Sequence, residues 1–206
     1  LGAYALDNWN EDRVNRQEEK ILLMDLRNDL TKTIMEFRQD TLSNATNLMY
    51  AKRIAQYINN DLPYSEELDT CFGLISGWSS PYVMASAFQS LKSEGIKIIK
   101  NRALRNAIVN LYDADLAYLK DDYDRAEWIY FESVVMPYFS KNIRKLNDGS
   151  YAGARPNDFE KLKKSDEFLN ILSMIIHFRE RGLLYYADAI FKIQAVIKMI
   201  DQELEK

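Results

Sequence analysis

The sequence of 206 residues contains little cysteine, histidine, glycine and proline, and each shortage excludes a class of protein. One Cys excludes a disulfide framework or a cysteine-rich metal site, and one His excludes most imidazole-based metal centres. Seven Gly and four Pro leave little room for the many turns of a β protein. Because 31 acidic residues outnumber 27 basic ones, no overall positive charge favours nucleic acid. We therefore expect a helical chain without a metal, a cofactor or a nucleic-acid partner.

The residues that are present suit one all-α domain with a real core, since 47% are apolar and 28% are charged. Residues 7–59 contain no Pro or Gly, and their apolar residues recur every three or four positions, as on one face of a helix. The predicted stripe of this first long helix is Leu23, Leu26, Leu30, Ile34, Phe37, Thr41, Ala45, Leu48, Ala55 and Ile58.

Two short helices are predicted next, after a break at residues 59–63. The first covers residues 65–72 with Ser65 as its N-cap. The second begins with Pro81 in its first turn and ends at Glu94, where Gly95 is a suitable C-cap. A four-residue connector, 96–99, leads to the second long helix.

Asn101 is the predicted N-cap of that second long helix, over residues 102–146, in which Pro137 should cause a kink or a split. Its apolar stripe is Ile108, Tyr112, Leu116, Leu119, Tyr123, Ala126, Tyr130 and Val134. A loop follows at 147–158, and a last helix over 165–204 meets a possible interruption at Gly182. These elements predict an elongated up-and-down four-helix-type bundle, with long first, middle and last helices and a short helical pair between.

The uncharged residues 1–6 are followed abruptly by polar sequence, with Tyr4 and Trp9 as aromatic residues suited to a membrane interface. A span needs about 20 apolar residues, so this segment cannot cross a bilayer alone. Composition by itself favours the frayed start of a helix. The lack of an initiator Met favours a fragment or a processed product, in which residues 1–6 would be the C-terminal remnant of a transmembrane helix and 7–206 a single helical domain.

Three stretches together resemble an uncharacterised family of bacterial single-pass membrane proteins, known only as a domain of unknown function. They are Asn8-Trp9-Asn10-Glu11 after the apolar stub, Leu91-Lys92-Ser93-Glu94-Gly95 in the middle, and the closing helix from Phe168 to Leu204. The resemblance implies a basic N-terminal stub, one transmembrane helix ending just before the first stretch, and then a helical domain. It reverses the preference for a frayed helix start, but it carries over no catalytic residue because the family has no assigned activity.

The resemblance also bears on membrane orientation. Arg13, Arg16 and Lys20 alone argue mildly for a cytoplasmic domain. The basic stub that the resemblance implies on the other side of the span outweighs them. We therefore expect an inner-membrane protein whose helical domain lies on the periplasmic or external side.

Candidate chemical groups are few, and each has a simple structural interpretation. Six acidic residues crowd the second long helix, and we interpret them as a solvated face rather than an enzyme's acid–base or cation site: Asp113, Asp115, Asp121, Asp122, Asp124 and Glu127. His177 is interpreted as a boundary residue and Cys71 as a small buried apolar one. Four basic residues cluster where the second long helix begins, and we expect them to contact an anion, an acidic partner or water: Lys97, Lys100, Arg102 and Arg105.

Aromatic residues gather at two helix breaks and allow two interpretations. Trp78 and Tyr82 flank Pro81, and Trp128 lies in the group before Pro137. They either line a ligand pocket or fill a core where helices pack unevenly, and we favour the core.

The leading functional hypothesis is a membrane-tethered, non-enzymatic interaction or sensory domain, with a protein partner or a second copy. The alternative is a small-ligand-binding bundle whose pocket uses Trp78, Tyr82 and Trp128, and the third is an enzyme built on the acidic cluster.

Overall fold

The computed structural model describes the backbone of residues 2–147 and 153–206 and the side chains of residues 13–147 and 153–206. The chain is mostly helical (79%), and the residues described contain one two-stranded sheet, so the all-α prediction is confirmed. No helix within the described residues is long and apolar enough to span a membrane.

The helices occur in the order that the sequence predicts, although several bounds differ. The α-helices are α1 (Gly2–Asn59), α2 (Leu68–Leu74), α3 (Ser86–Glu94), α4 (Arg102–Asn110), α5 (Arg125–Tyr130), α6 (Met136–Asn142), α7 (Phe159–Leu162) and α8 (Asp166–Leu204). A 3₁₀ turn lies at Ile96–Ile98, and π-helical segments at Leu111–Leu116, Tyr118–Asp124 and Phe131–Val135 lie between α4 and α6. The antiparallel strands are β1 (Ile143–Lys145) and β2 (Ala154–Pro156).

The chain divides into two compact units. The first unit contains Leu1–Phe37, Tyr82–Leu119 and Asp188–Lys206, and the second contains Arg38–Pro81 and Lys120–Ala187. The long helices α1 and α8 each contribute one part to both units.

The first unit buries the predicted stripe of α1, where Leu23, Leu26, Leu30, Ile34 and Phe37 are at most 7% exposed. The predicted caps of the neighbouring helices are confirmed as well. The side chain of Asn101 accepts hydrogen bonds from the backbone at 103 and 104, and Gly95 ends α3 with φ of 104°.

One salt bridge and one hydrogen bond give the direction of α8 relative to α1 in the first unit. Arg27 meets Asp201 at 2.6 Å, and Arg16 reaches the carbonyl of Lys206 at 3.5 Å. Because the lower number on α1 pairs with the higher number on α8, the two helical segments run antiparallel.

The second unit has its own apolar core, which is built around α2, the hairpin and the first part of α8. Phe72 packs against Phe159 and Phe168, with ring centroids 6.2 and 6.1 Å apart. Arg155 of β2 binds Asp69 of α2 through Nε at 2.9 Å and Nη2 at 2.5 Å. This bidentate pair joins the hairpin to α2.

The predicted start of the helix at Pro81 is wrong, since α3 begins at Ser86. The reason lies in two buried polar residues of α1. Asp29 accepts hydrogen bonds from the Ser86 hydroxyl at 2.8 Å and the Ala87 amide at 2.9 Å, and Thr33 accepts one from the Met84 amide at 3.0 Å. These bonds hold residue 84 in non-helical backbone and place the helix start at 86.

Other predicted bounds also need correction. Ser65 does not cap α2, which begins three residues later at Leu68 after a turn. The second long helix ends at Asn142 rather than 146, because Ile143 starts a strand that pairs with Pro156. The short helix α7, capped by the Asp158 side chain, was not predicted.

Gly182 does not interrupt its helix, whereas at Pro137 the middle helix changes from a π-helical segment to the separate helix α6. The helix α8 continues through Gly182. Pro137 lies in the first turn of α6, directly after the π-helical segment Phe131–Val135, where its missing amide is tolerated.

Two predicted stripes follow the wrong residues in the second unit. On α1, Ala45 is exposed, whereas Asn44 and Asn47 are buried, because their polar groups bind backbone atoms and the inward face is not apolar there. On the middle helix, Ala126 is exposed and Glu127 is buried. A π-helical turn holds an extra residue, so after Tyr118–Asp124 the inward positions come one residue later than an α-helical count predicts.

Candidate functional site

Residues 77–79 form a non-helical strap that side chains from two long helices of the second unit hold in place. Asn47 donates to the carbonyl of Gly77 at 2.7 Å, and the Ser79 amide donates to Oδ1 of Asn44 at 3.5 Å. Tyr186 of α8 donates to the carbonyl of Ser79 at 3.0 Å. Asn44 and Asn47 are themselves buried, so these bonds to the strap supply the partners that their side-chain polar groups need.

A buried ion pair lies beside this strap. Arg179 of α8 pairs with Glu127 of α5, and Nη2 of Arg179 donates to the carbonyl of Gly77 at 3.2 Å. Burial raises the pKa of the Glu127 carboxyl, and the Arg179 guanidinium opposes that rise. Within the described residues, Nε of Arg179 has no hydrogen-bond partner. Removing two charges from water costs free energy, and the contacts that offset this cost are the ion pair itself and the bond from Arg179 to the Gly77 carbonyl.

Trp78, at the centre of the strap, joins the ion pair to an aromatic group. Its Nε1 donates to Asp124 at 3.0 Å, and the Arg179 guanidinium lies 5.7 Å from its ring centroid. Trp128 and Phe131 pack edge-on against the indole, with centroids 4.9 and 5.0 Å away. The group is a partly exposed aromatic cluster, since Trp78 is half-buried and Trp128 is 44% exposed.

Tyr123 of the π-helical segment Tyr118–Asp124 packs against α8 at Gly182. The Tyr123 hydroxyl donates to the carbonyl of Phe178, and a Cβ placed on Gly182 would lie 2.5 Å from that hydroxyl oxygen. Burial raises the pKa of Tyr123 above its ordinary range. A glycine is thus required at position 182 because the Tyr123 side chain occupies the space of a Cβ. The position of Gly182 in the helical pattern does not reveal this requirement.

The interpretation of the acidic cluster as one solvated face is wrong for two of its members. Asp124 and Glu127 are buried by the register change described above, while Asp121 and Asp122 are exposed. In the first unit, Asp113 binds Lys92 at 3.0 Å, and Asp115 binds Lys192 at 2.7 Å. Among the described residues, no three His, Cys, Asp or Glu side chains are grouped so as to hold a metal ion.

The other candidate side chains have ordinary surroundings. Cys71 is buried, as predicted, and burial raises the pKa of its thiol, which disfavours the reactive thiolate. His177 is exposed beside Phe178. Lys97 and Lys100 line a groove of about 770 Å³ in the first unit, together with Glu18, Asp25 and Glu94. This groove carries charge of both signs, and Arg105 donates to the carbonyl of Ile99.

The predicted ligand-binding residues are not all brought together. Trp78 and Trp128 are in contact within the second unit, whereas Tyr82 belongs to the first unit and is 63% exposed. The described grooves of about 770, 740, 440 and 310 Å³ take no lining residue from these three. Ligand binding by them stays a prediction. The side chains of Tyr4 and Trp9, predicted at a membrane interface, lie outside the described residues.

The second notable surface is the outer face of α1 in the first unit, which we define as Val14, Ile21, Met24 and Met35. Each of these apolar side chains is 46 to 64% exposed, on the side of the helix opposite the buried stripe. Asn28 and Thr31 are exposed between them. In the sequence, this surface is indicated by residues that recur every seven positions. The spacing of the buried stripe does not reveal it.

No protein-family model, curated protein or solved structure matches the chain. The resemblance to a family of single-pass membrane proteins therefore stays a prediction.

Proposed function

We propose that this chain is a non-enzymatic interaction domain that binds another protein chain through the outer face of α1. The observation that carries the proposal is the line of four large apolar side chains exposed along one side of a helix whose other side is already buried. Fully burying a side chain of this kind is worth about 1.5–3 kcal/mol. Covering the exposed half of each one therefore contributes roughly half of that, before the costs of association. An exposed apolar surface on a folded domain is typical of an interaction site.

The buried charged groups support a non-enzymatic role. Glu127 is engaged by Arg179, and Asp124 accepts from the Trp78 indole, in a region packed with aromatic rings. Glu127 and Asp124 bind the side chains of Arg179 and Trp78, which belong to or contact the strap at residues 77–79, and neither acid lines the four grooves described above. Their positions suit a structural role better than acid–base chemistry on a substrate.

We also propose that the long helices follow the up-and-down order of a four-helix-type bundle, tethered through the N-terminus to the cytoplasmic membrane with the domain on its external side. The antiparallel contacts of α1 and α8 in the first unit support the helix order. The uncharged residues 1–6, the aromatic Tyr4 and Trp9 and the family resemblance support the tether. A C-terminal reporter on the chain as the cell produces it should be active outside the cytoplasm, and activity only inside would contradict the orientation.

The interaction itself can be tested with a photo-crosslinking amino acid placed at Met24 in the chain as the cell produces it. The matched control is the same amino acid at Phe191, which is 71% exposed on α8 of the same unit. We expect a discrete adduct from position 24 that is absent from position 191. Absence of any adduct from position 24, and also from Ile21 and Met35, would contradict the proposed function.

A further inference from the structure

We infer that the partner of the outer face is a second copy of this chain, aligned parallel and in register as a two-stranded coiled coil over residues 14–35. This inference rests on the proposed function and names its partner. The surface lies wholly on α1 of the first unit.

The spacing of the outer face is that of a coiled-coil seam. Val14, Ile21, Asn28 and Met35 follow one another in steps of seven and occupy position a of a heptad, with Met24 and Thr31 at position d. The buried stripe of the same helix falls mainly on positions b, c and f, which face the opposite way. A straight helix drifts about 20° for each heptad, so a constant seven-residue repeat suits a left-handed pair rather than a flat surface.

Asn28 favours an identical helix, from a second copy of this chain, as the partner of the seam. It is exposed and falls at position a between Ile21 and Met35. A single asparagine in an otherwise apolar a row costs stability, but it pairs well with the same asparagine of an identical helix in the same register. An asparagine at this position would weaken the binding of an apolar ligand. It favours binding to the same helix of a second copy, where Asn28 can pair with Asn28.

The charges beside the seam favour the parallel alignment. Position g holds Arg13, Lys20 and Arg27, and position e holds Glu18 and Asp25. In a parallel pair, each g residue lies near the e residue five positions later in the other copy, which joins Lys20 to Asp25 and Arg13 to Glu18. In an antiparallel pair, g meets g and e meets e, so like charges would face each other.

One parallel pair, Arg27 with Lys32 of the second copy, joins like charges. The Arg27 guanidinium is held by Asp201 at 2.6 Å within its own chain, which offsets its charge. Two attractive pairs and one offset pair leave the parallel alignment favoured.

The residues at positions a and d also favour the parallel alignment. A parallel pair places Val14 on Val14, Ile21 on Ile21 and Met35 on Met35. An antiparallel pair would place the apolar a row against a d row that includes Gln17 and Thr31. The membrane tether proposed above also directs α1 of two copies the same way.

Cysteine crosslinking tests the inference on the 206-residue chain. Two variants, Ile21→Cys and Met35→Cys, each place a thiol at an a position, and Phe191→Cys is the exposed control. The wild-type chain, whose single Cys71 is buried, sets the background. We expect each seam variant to form a disulfide with itself at least ~tenfold faster than the control, because thiols in one layer meet at a high effective concentration. Mixing the two seam variants should yield no disulfide between them, since positions 21 and 35 lie about 21 Å apart along a helix.

The outcomes separate this inference from the proposed function. A disulfide of Ile21→Cys with Met24→Cys or Thr31→Cys, without a disulfide of Ile21→Cys with itself, would show an antiparallel pair, in which a positions face d positions, and would overturn the inference. Rates equal to the control would overturn the self-association. If the crosslinker at position 24 then yields an adduct with a different protein, the proposed function stands without the second copy, and if it yields none, both are contradicted.

Discussion

Arg179 and Glu127, which are 52 residues apart in the sequence, form an ion pair in which the side chains are 2% and 7% exposed. The same guanidinium donates to the carbonyl of Gly77 and lies over the ring of Trp78. One side chain of α8 thus binds α5 and the strap at residues 77–79. Arg179 therefore acts together with Asn47 and Tyr186 in joining the long helices to this non-helical backbone.

Replacing Arg179 with Met should lower the free energy of unfolding by about 3–5 kcal/mol, because it leaves the Glu127 carboxylate buried without its cation. The matched control is Glu180→Gln, which breaks the exposed pair of Glu180 with Lys52 and should cost less than about 1 kcal/mol. Urea unfolding measures both. Equal losses in the two variants would show that the buried pair has no special role. The double variant Glu127→Leu/Arg179→Met should recover part of the loss.

Replacing Gly182 with Ala should destabilise the chain by about 1–3 kcal/mol, because the new methyl group overlaps the Tyr123 hydroxyl. The sign is diagnostic, since the same change in an exposed helix interior stabilises by about 1 kcal/mol. In the double variant Gly182→Ala/Tyr123→Phe, the cost of the alanine should fall because the nearest atom is gone. A stabilising Gly182→Ala would contradict the close approach.

Local sequence patterns predicted the apolar stripe of α1 and the helix caps within the first unit at Asn101 and Gly95. The stripe from Leu23 to Phe37 needs only helical spacing, and the caps at Asn101 and Gly95 act within a few residues of themselves. Features that depend on distant partners were not predicted. Asn47 is buried because its partner carbonyl, at Gly77, is 30 residues away, and nothing near it in the sequence indicates that bond.

The candidate site was predicted only in part, for a related reason. Trp78 and Trp128 were named as neighbours and are in contact, but Glu127 was assigned to a solvated face. A count of 3.6 residues per turn places Ala126 inward, and the π-helical turns before it move that position to Glu127. Helical π turns arise from packing, so spacing alone does not reveal them.

Acid should weaken the bond between the hairpin and α2. The hydrogen bond from Arg155 lowers the pKa of Asp69 below its model-peptide value of 3.8, so the folded chain holds this carboxyl ionised more strongly than the unfolded chain. The resulting stability is present above pH 3.8 and is lost as the pH falls through the lowered pKa. The stability difference between wild type and Asp69→Asn should therefore shrink on going from about pH 7 to about pH 3. The control is Asp122→Asn, at an exposed position, and a difference that grows in acid would contradict the assignment.

Replacing Asn28 with Ile should tighten self-association by about tenfold or more, equal to ~1.4 kcal/mol, and should weaken the preference for a two-stranded parallel pair. The physical reason is that the a row then becomes apolar throughout. Sedimentation equilibrium measures the affinity and the number of copies. An unchanged affinity, with Asn28→Ile folded as wild type, would place residue 28 outside the interface.

Sedimentation equilibrium of the wild-type chain beside the triple variant Ile21→Ser/Met24→Ser/Met35→Ser tests the central claim most directly. We predict a wild-type dimer whose dissociation constant rises at least ~100-fold in the triple variant, about 2.7 kcal/mol, with Phe191→Ser behaving as wild type. All three positions are exposed, so the triple variant should keep the helical content and the unfolding midpoint of the wild type. Identical masses for the wild type and the triple variant at every concentration would contradict the claim that the outer face of α1 is where this protein associates.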